Sequence, residues 1–167
     1  MAKCIKFICL VLFLFSFLPA CKAAGKAVPG EALSVYEFKL NNLKDEEISL
    51  SSYKDKKAVL IIFWTTWCPY CRDALKSLQA DFQSIDSMGV KLLAINVAES
   101  KNKVAKFAED LKLSFQVLLD KDSSVADRYD LLGVPTYVIV NKSGQVVFSG
   151  NRFKKERLKE LIAEKGR

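Results

Sequence analysis

The chain has 167 residues, half of them apolar and about a quarter charged, which fits one globular domain with a short extension. Its 26 basic and 19 acidic residues give a net charge of +7, but the basic residues are scattered, which indicates a solvated surface and not a nucleic-acid-binding face. The sequence contains no histidine, which excludes Cys–His and Ser–His catalysis and removes the commonest metal ligand.

Residues 1–20 are typical of a secretory signal. A short basic start precedes a run at 5–18 that is almost purely apolar and short for a membrane-spanning helix. The run ends in LPAC at 18–21, which resembles the lipobox of bacterial lipoproteins and implies a lipid on Cys21. Ordinary cleavage near Ala23 or Ala24 and an uncleaved anchor are the alternatives. All three predict a domain outside the cytoplasm of a bacterium, and the lipid or the anchor would tether it to the membrane.

A tether and a folded domain follow the signal. Residues 21–33 are small or polar and are interrupted by Pro29-Gly30, which predicts a tether. Strands and helices then alternate through the predicted domain, 34–167. The predicted strands are 34–40, 47–50, 58–64, 90–97, 115–119, 136–140 and 145–149. The predicted helices are 69–87, 100–111, 123–129 and 154–165. This order predicts an α/β fold with a central mixed sheet, flanking helices and an N-terminal β-hairpin extension.

The cysteines divide between the leader and the domain. Cys4 and Cys9 lie in the predicted signal, and Cys21 is the predicted lipidation site. The domain keeps Cys68 and Cys71, which are two residues apart and have no framework of structural disulfides around them. Such an isolated C-x-x-C pair is typical of a catalytic dithiol or of half a metal site.

The C-x-x-C pair follows a buried strand and opens a helix, and this context predicts redox chemistry. Cys68 lies at the helix start, where unpaired backbone N–H groups and the helix dipole favour a thiolate, so we expect it to be exposed and to attack. Cys71 lies one turn further along, where we expect it to be buried and to resolve the mixed disulfide. Pro69 suits the first helical position, because its missing N–H would be unpaired there.

The chain resembles the TlpA/ResA-like membrane-tethered thioredoxins over roughly 34–165. WCPYC at 67–71, with GVPT at 133–136, is the most specific part of the resemblance, and the segments 92–100 and 115–144 match in the same order. The resemblance implies a thioredoxin fold and a cis peptide before Pro135, with Val134 offering its backbone to a substrate strand. It also implies that three further residues shape the site: Trp67, Pro69 and Tyr70.

The resemblance further implies a monomer that exchanges electrons with protein thiols and disulfides. No phosphate-binding loop or nicotinamide fingerprint is present, so no cofactor is expected, and a membrane reductant of the CcdA or DsbD kind would supply the electrons. A reductase role is favoured because the tethered relatives are mostly reductases. Candidate clients are apocytochrome c, other secreted disulfide proteins and thiols oxidised to sulfenic acid.

Two carboxylates that are common in the wider family are missing. Ile62 stands where thioredoxins often have a buried Asp, and Ala74 stands where ResA-like proteins often have a Glu. Asp73 is a candidate for the group that helps to deprotonate Cys71, although an acid in a first helical turn is more often a surface residue that suits the dipole.

Three other functions fit the residues less well than exchange does. A thiol peroxidase is suggested by Thr65, three residues before Cys68, but Ile61 stands where peroxiredoxins place a proline. A copper-binding or other metal-binding module is disfavoured because no histidine exists and zinc would need two more ligands, so no metal site is predicted. A structural disulfide is disfavoured because so short a loop gives little entropic stabilisation.

Overall fold

A computed structural model describes residues 36–163. The strands are β1 (Lys39–Asn42), β2 (Glu47–Ser49), β3 (Ala58–Trp64), β4 (Val90–Val97), β5 (Gln116–Asp120), β6 (Thr136–Val140) and β7 (Val146–Gly150). The helices are α1 (Pro69–Ser87), α2 (Lys101–Asp110), α3 (Ser124–Arg128) and α4 (Leu158–Ala163), with 3-10 turns at Leu50–Tyr53 and Lys155–Arg157. The predicted signal at 1–20, the tether at 21–33 and Cys21 lie outside the described residues.

The seven strands form one mixed sheet in the order β2-β1-β5-β4-β3-β6-β7. The central strands β3, β4 and β5 are parallel, whereas β6, β7 and the β1–β2 hairpin run antiparallel to their neighbours. Helices α1, α2 and α4 pack on one face, and α3 with the first 3-10 turn packs on the other. The predicted mixed sheet with an N-terminal hairpin is therefore confirmed.

Strand β3 shows why its sequence is apolar at every position. Alternate side chains from Ala58 to Trp64 join the core beneath α1 and α2, while the intervening ones, from Val59 to Phe63, join the core beneath α3. All seven residues are buried, as a strand covered on both faces requires. Its carboxyl end delivers the chain to the active-site loop, at the same edge of the sheet as the end of the parallel strand β4.

Two elements differ from the sequence prediction by more than one residue at an end. The first strand was expected at 34–40 but spans Lys39–Asn42, because it runs on until Asn42 caps the turn: the Asn42 carbonyl accepts from the amide of Asp45, which has a positive φ of 63°. The last helix was expected over 154–165, but a 3-10 turn precedes α4. Among residues 36–163, no helix is long and apolar enough to cross a membrane.

Candidate active site

Cys68 caps the amino terminus of α1 with its sulfur. Its backbone is extended (φ −85°, ψ 113°), and its Sγ accepts a hydrogen bond from the Cys71 amide at 3.2 Å. Pro69 occupies the first helical turn, as predicted. The unpaired N–H groups of the first helical turn and the positive end of the helix dipole lie at this sulfur. The backbone N–H groups at the start of α1 therefore point toward Cys68, the cysteine predicted to attack.

The burial of the two cysteines was predicted only in part. Cys71 is fully buried, as expected, but Cys68 is also buried, with 4% of its surface exposed. The expectation of an exposed Cys68 is therefore wrong. The loop before β6 covers it, and the Cys68 thiol donates a hydrogen bond to the Val134 carbonyl at 3.6 Å. Both cysteines are free thiols in this structure.

The loop that covers Cys68 is the one the sequence singled out. The Val134–Pro135 peptide bond is cis, which confirms that expectation. The Thr136 hydroxyl donates to the Gly133 carbonyl at 2.7 Å and closes the loop on itself. Val134 and Pro135 thus stand against the reactive sulfur, on the β6 side of β3.

A groove of about 840 Å³ opens on this β6 side. Its lining combines aromatic and apolar side chains with one cation and one acid, and it includes Tyr70, Leu132, Val134, Tyr137, Arg152 and Asp130. Around the groove mouth and Cys68, three large apolar side chains are unusually open to solvent. Trp67 is 71% exposed, Tyr70 is 76% exposed and Leu132 is fully exposed. We call Trp67, Tyr70 and Leu132 the apolar rim.

The surroundings of Cys71 oppose its ionisation. Burial raises the pKa of the Cys71 thiol to about 12, with further contributions from its hydrogen bond to Cys68 and from the negative charges of Cys68 and Glu99, while the Thr65 backbone acts in the opposite direction. Burial, with a smaller contribution from the charge of Cys71, also raises the pKa of Tyr137 to about 12. Cys71 therefore stays protonated at neutral pH until the reaction changes its surroundings.

Glu99 lies on the opposite, β4 side of β3, just after the end of β4. One carboxylate oxygen accepts from the Thr66 amide at 2.6 Å and from the Asn96 side chain at 2.8 Å. The other accepts from the Thr66 hydroxyl at 2.6 Å and from Lys103 at 2.7 Å. Burial opposes ionisation, but the hydrogen bonds from Asn96, Lys103 and Thr66 hold the pKa of Glu99 at about 2. Thr65, Asn96 and Glu99 form what we call the polar cluster.

Sequence reasoning missed Glu99 and named Asp73 in its place. Asp73 is exposed on α1, and the carboxylate whose charge acts on Cys71 is Glu99. Ile62 is fully buried and pairs across the strands with Tyr137, so the position of the usual buried Asp is apolar here. The signal that could have found Glu99 is an acid that directly follows the strand parallel to β3, since the carboxyl ends of parallel strands meet at one edge.

Metal ligands do not converge in the described domain. Within residues 36–163, no three Cys, Asp or Glu side chains come together as a metal site. The chemistry that the cluster of Cys68, Cys71 and Val134 can perform is thiol exchange with a sulfur placed in the groove.

Comparison with known proteins extends over most of the chain. The AhpC/TSA family matches residues 32–149. Over 124 residues the chain is 36% identical to thiol-disulfide oxidoreductase ResA of Bacillus subtilis strain 168, covering 74% of this chain and 69% of ResA. It is also 36% identical over 110 residues to ResA of Geobacillus kaustophilus, covering 66% of this chain and 63% of that protein. The chain thus spans about two thirds of the length of these relatives.

Among solved structures, the chain is similar to StoA from Bacillus subtilis. The TM-score is 0.65 at 27% sequence identity, and the match covers 78% of this chain and 98% of StoA. Together with the strand order, this match confirms the predicted thioredoxin fold.

Proposed function

This chain belongs to the AhpC/TSA family and is a thiol–disulfide oxidoreductase of the thioredoxin-like kind, and we propose that it reduces disulfides of client proteins outside the cytoplasm. The observation that carries the proposal is the asymmetry of the dithiol. The Cys68 sulfur caps α1 beside the groove, whereas Cys71 is buried, with its pKa raised to about 12. Cys68 is thus placed to attack a client disulfide, and Cys71 is placed to resolve the mixed disulfide that forms.

The exchange proceeds in two balanced steps. The Cys68 thiolate attacks one sulfur of a client disulfide, so a Cys68–client S–S bond forms, the client S–S bond breaks and one client thiolate leaves. Cys71 then loses its proton and attacks the Cys68 sulfur, so that the Cys68–Cys71 disulfide forms and the second client thiolate leaves. Two electrons have passed to the client, whose two thiolates take up protons.

The groove supports a protein and not a small molecule as the client. It is open, and the apolar rim of Trp67, Tyr70 and Leu132 offers aromatic and aliphatic surface to residues on both sides of a client cysteine. The Val134 carbonyl, which receives the Cys68 thiol in the free protein, becomes available to a client backbone once that sulfur has reacted. Site-shaping roles for Trp67, Pro69, Tyr70, Val134 and Pro135 form part of this proposal.

The electron donor is proposed to be a membrane protein of the CcdA or DsbD kind, and apocytochrome c is a proposed client. The direction of electron transfer, to or from client proteins, follows from the reduction potential of the Cys68–Cys71 couple. We expect a value near or below about −270 mV, which is typical of a reducing thioredoxin, and a value near about −120 mV would instead mark an oxidant. The measurement is equilibration of the full chain with glutathione or dithiothreitol buffers.

Trapping of mixed disulfides tests the two-thiol mechanism. Cys71→Ser in the full chain should accumulate covalent adducts with client proteins on non-reducing gels, because the resolving thiol is missing. Cys68→Ser should accumulate none and should be inactive, and the double variant is the control for background oxidation. Full activity of Cys71→Ser toward protein disulfides would overturn the mechanism and favour a one-thiol or peroxidase reaction.

The predicted lipid on Cys21 is part of the proposal and supplies the membrane tether. A single acyl chain binds membranes only marginally, so firm attachment needs the multiple acylation typical of lipoproteins. Cys21→Ser should release the protein from the membrane fraction or stall its processing. Unchanged fractionation together with unchanged mass would favour an uncleaved anchor.

A further inference from the structure

Glu99 connects three elements that meet at the active-site loop. Its carboxylate follows β4, accepts both the amide and the hydroxyl of Thr66 in the loop before Cys68, and accepts Lys103 of α2. The side chain is only 6% exposed. A buried carboxylate that accepts four hydrogen bonds has one orientation, and it fixes the groups that donate to it. Glu99 therefore sets the path of the chain from β3 into α1.

The neighbours of Glu99 are not arranged for stability alone. At the ends of β3 and β4, three buried polar atoms have no hydrogen-bond partner among residues 36–163: Trp64 Nε1, Thr65 Oγ1 and Asn96 Oδ1. Unsatisfied buried groups destabilise a fold, and they concentrate where function requires polarity. The unsatisfied atoms beside Glu99 therefore indicate that this region keeps its polar groups for function at some cost in stability.

We propose that Glu99 is a positioning residue for the dithiol: it holds Thr66, two residues before Cys68, in place, and its fixed negative charge adds to the burial that keeps Cys71 a thiol until Cys68 has reacted. This inference rests on the proposed resolving role of Cys71. The role differs from the one expected of a carboxylate at position 62 or 74, because Glu99 opposes the deprotonation of Cys71 and does not assist it.

Glu99 acts as an anion and not as a base. Four donated hydrogen bonds hold its pKa at about 2, so it does not take up the proton of Cys71 near neutral pH. Its charge acts in the opposite direction, because a nearby anion disfavours a second negative charge on Cys71. The first attack is thereby reserved for Cys68, and Cys71 ionises only after the Cys68 sulfur has become neutral in the mixed disulfide.

The other ionisable groups around Cys71 are few. Cys68 faces it from the same helix and Tyr137 faces it from β6, where burial keeps the phenol neutral. Lys103 on α2 offsets part of the charge of Glu99, and its side chain is 55% exposed. The guanidinium of Arg72, on α1, lies over the Phe107 ring at 4.6 Å. Glu99 and Lys103 should consequently move the ionisation of Cys71 in opposite directions.

The test measures the alkylation rate of Cys71 as a function of pH in the full chain carrying Cys68→Ser. The background alkylation of the Cys68→Ser, Cys71→Ser double variant is subtracted at each pH. Adding Glu99→Gln should raise the rate about threefold at any pH below the midpoint, or about half a unit in the pKa, because burial and not the Glu99 charge is the largest contribution to the raised pKa of Cys71. Adding Lys103→Gln should lower it about twofold, because that charge is half exposed. Glu109→Gln, an exposed acid on the same helix as Lys103, should leave it unchanged.

The side-chain amide introduced by Glu99→Gln can keep the loop in place, since its oxygen can accept the Thr66 amide and its NH₂ can donate to the Thr66 hydroxyl. Glu99→Ala removes both charge and tether, and it should also lose turnover in the chain with both cysteines intact. A rate for Glu99→Gln equal to that for Glu109→Gln would overturn the charge role. Wild-type turnover of Glu99→Ala would overturn the positioning role. Adduct trapping by Cys71→Ser with Glu99 intact tests the proposed function separately.

Discussion

The β6 side and the β4 side of the active site differ in almost every physical property. On the β6 side, a wide groove lined by Tyr70 and Leu132 of the apolar rim faces solvent, and a backbone carbonyl contacts the Cys68 sulfur. On the β4 side, the polar cluster is buried and carries an ionised carboxylate near Cys71. The two cysteines are one turn apart and almost equally buried, so accessibility does not distinguish them. Their neighbours do: one sulfur faces a docking surface and the other faces a charge.

This contrast shows how two identical side chains acquire separate roles. Helix α1 supplies the amide that bonds the Cys68 sulfur, while burial and, to a smaller extent, the charge of Glu99 oppose negative charge at Cys71. The order of the two exchange steps is therefore encoded on opposite sides of β3. Substitutions that alter one side only should therefore affect one exchange step or one property and leave the other unchanged.

Adding a buried carboxylate at position 62 should have the largest effect. Ile62→Asp places the charge that many thioredoxins carry into a fully buried position beside Tyr137, without a partner. We expect a loss of about 4 kcal/mol in the free energy of unfolding at pH 7, measured by urea denaturation. Because burial raises the pKa of such an Asp, the loss should shrink as the pH falls through that raised pKa.

Ile62→Leu is the matched control for packing, and its cost should stay below about 1.5 kcal/mol. If Ile62→Asp cost no more than Ile62→Leu at pH 7, the core beside Cys71 would already hold polar partners for a carboxylate. The proposal that Glu99 is the carboxylate acting on Cys71 would then be wrong.

The next largest effect should be the contribution of Glu99 to the loss of stability at acid pH. The folded-state pKa of Glu99 is about 2, below the ordinary value of 4.5, so its ionised form stabilises the fold above pH 4.5 and that contribution is lost as the pH falls toward 2. The difference amounts to about 3 kcal/mol. Wild-type protein should therefore lose more stability than Glu99→Gln between about pH 5 and pH 2, measured by urea unfolding at each pH. Parallel curves for Glu99→Gln and the control Glu109→Gln would contradict this.

The sequence predicted the central fold well because its signals are local. Strands β3, β4 and β6 and helix α1 have the predicted bounds, since each is a continuous apolar run or an amphipathic stretch bounded by proline or glycine. Gly89, with φ 75°, ends α1 because its left-handed conformation suits glycine. The C-x-x-C pair, its N-cap geometry and the covering loop at Pro135 followed from the same local patterns and from the family resemblance.

Other features depend on contacts between residues far apart in the chain. The burial of Cys68 comes from Val134, 66 residues away, and no periodicity in either segment shows it. Glu99 bonds Thr66 across 33 residues, through the alignment of β3 with β4. Both depend on which strand ends adjoin, and local periodicity does not show this. The family resemblance pointed to Val134 at the site, and the rule for parallel strands could have pointed to Glu99.

Substitutions in the apolar rim should have a smaller effect than those at Ile62 and Glu99. Their effect should be confined to protein disulfides. Replacing Trp67, Tyr70 or Leu132 singly with Ser should lower kcat/KM for a protein disulfide about tenfold, because each removes about 1–2 kcal/mol of apolar contact with the client. Turnover of a small disulfide should hardly change, since the rim lies outside the reacting sulfurs. Tyr36→Ser, at the other exposed large side chain in residues 36–163 and outside the groove lining, is the control. Equal losses for protein and small disulfides would mean that the rim shapes the dithiol itself, and the division between a docking side and a charged side would fail.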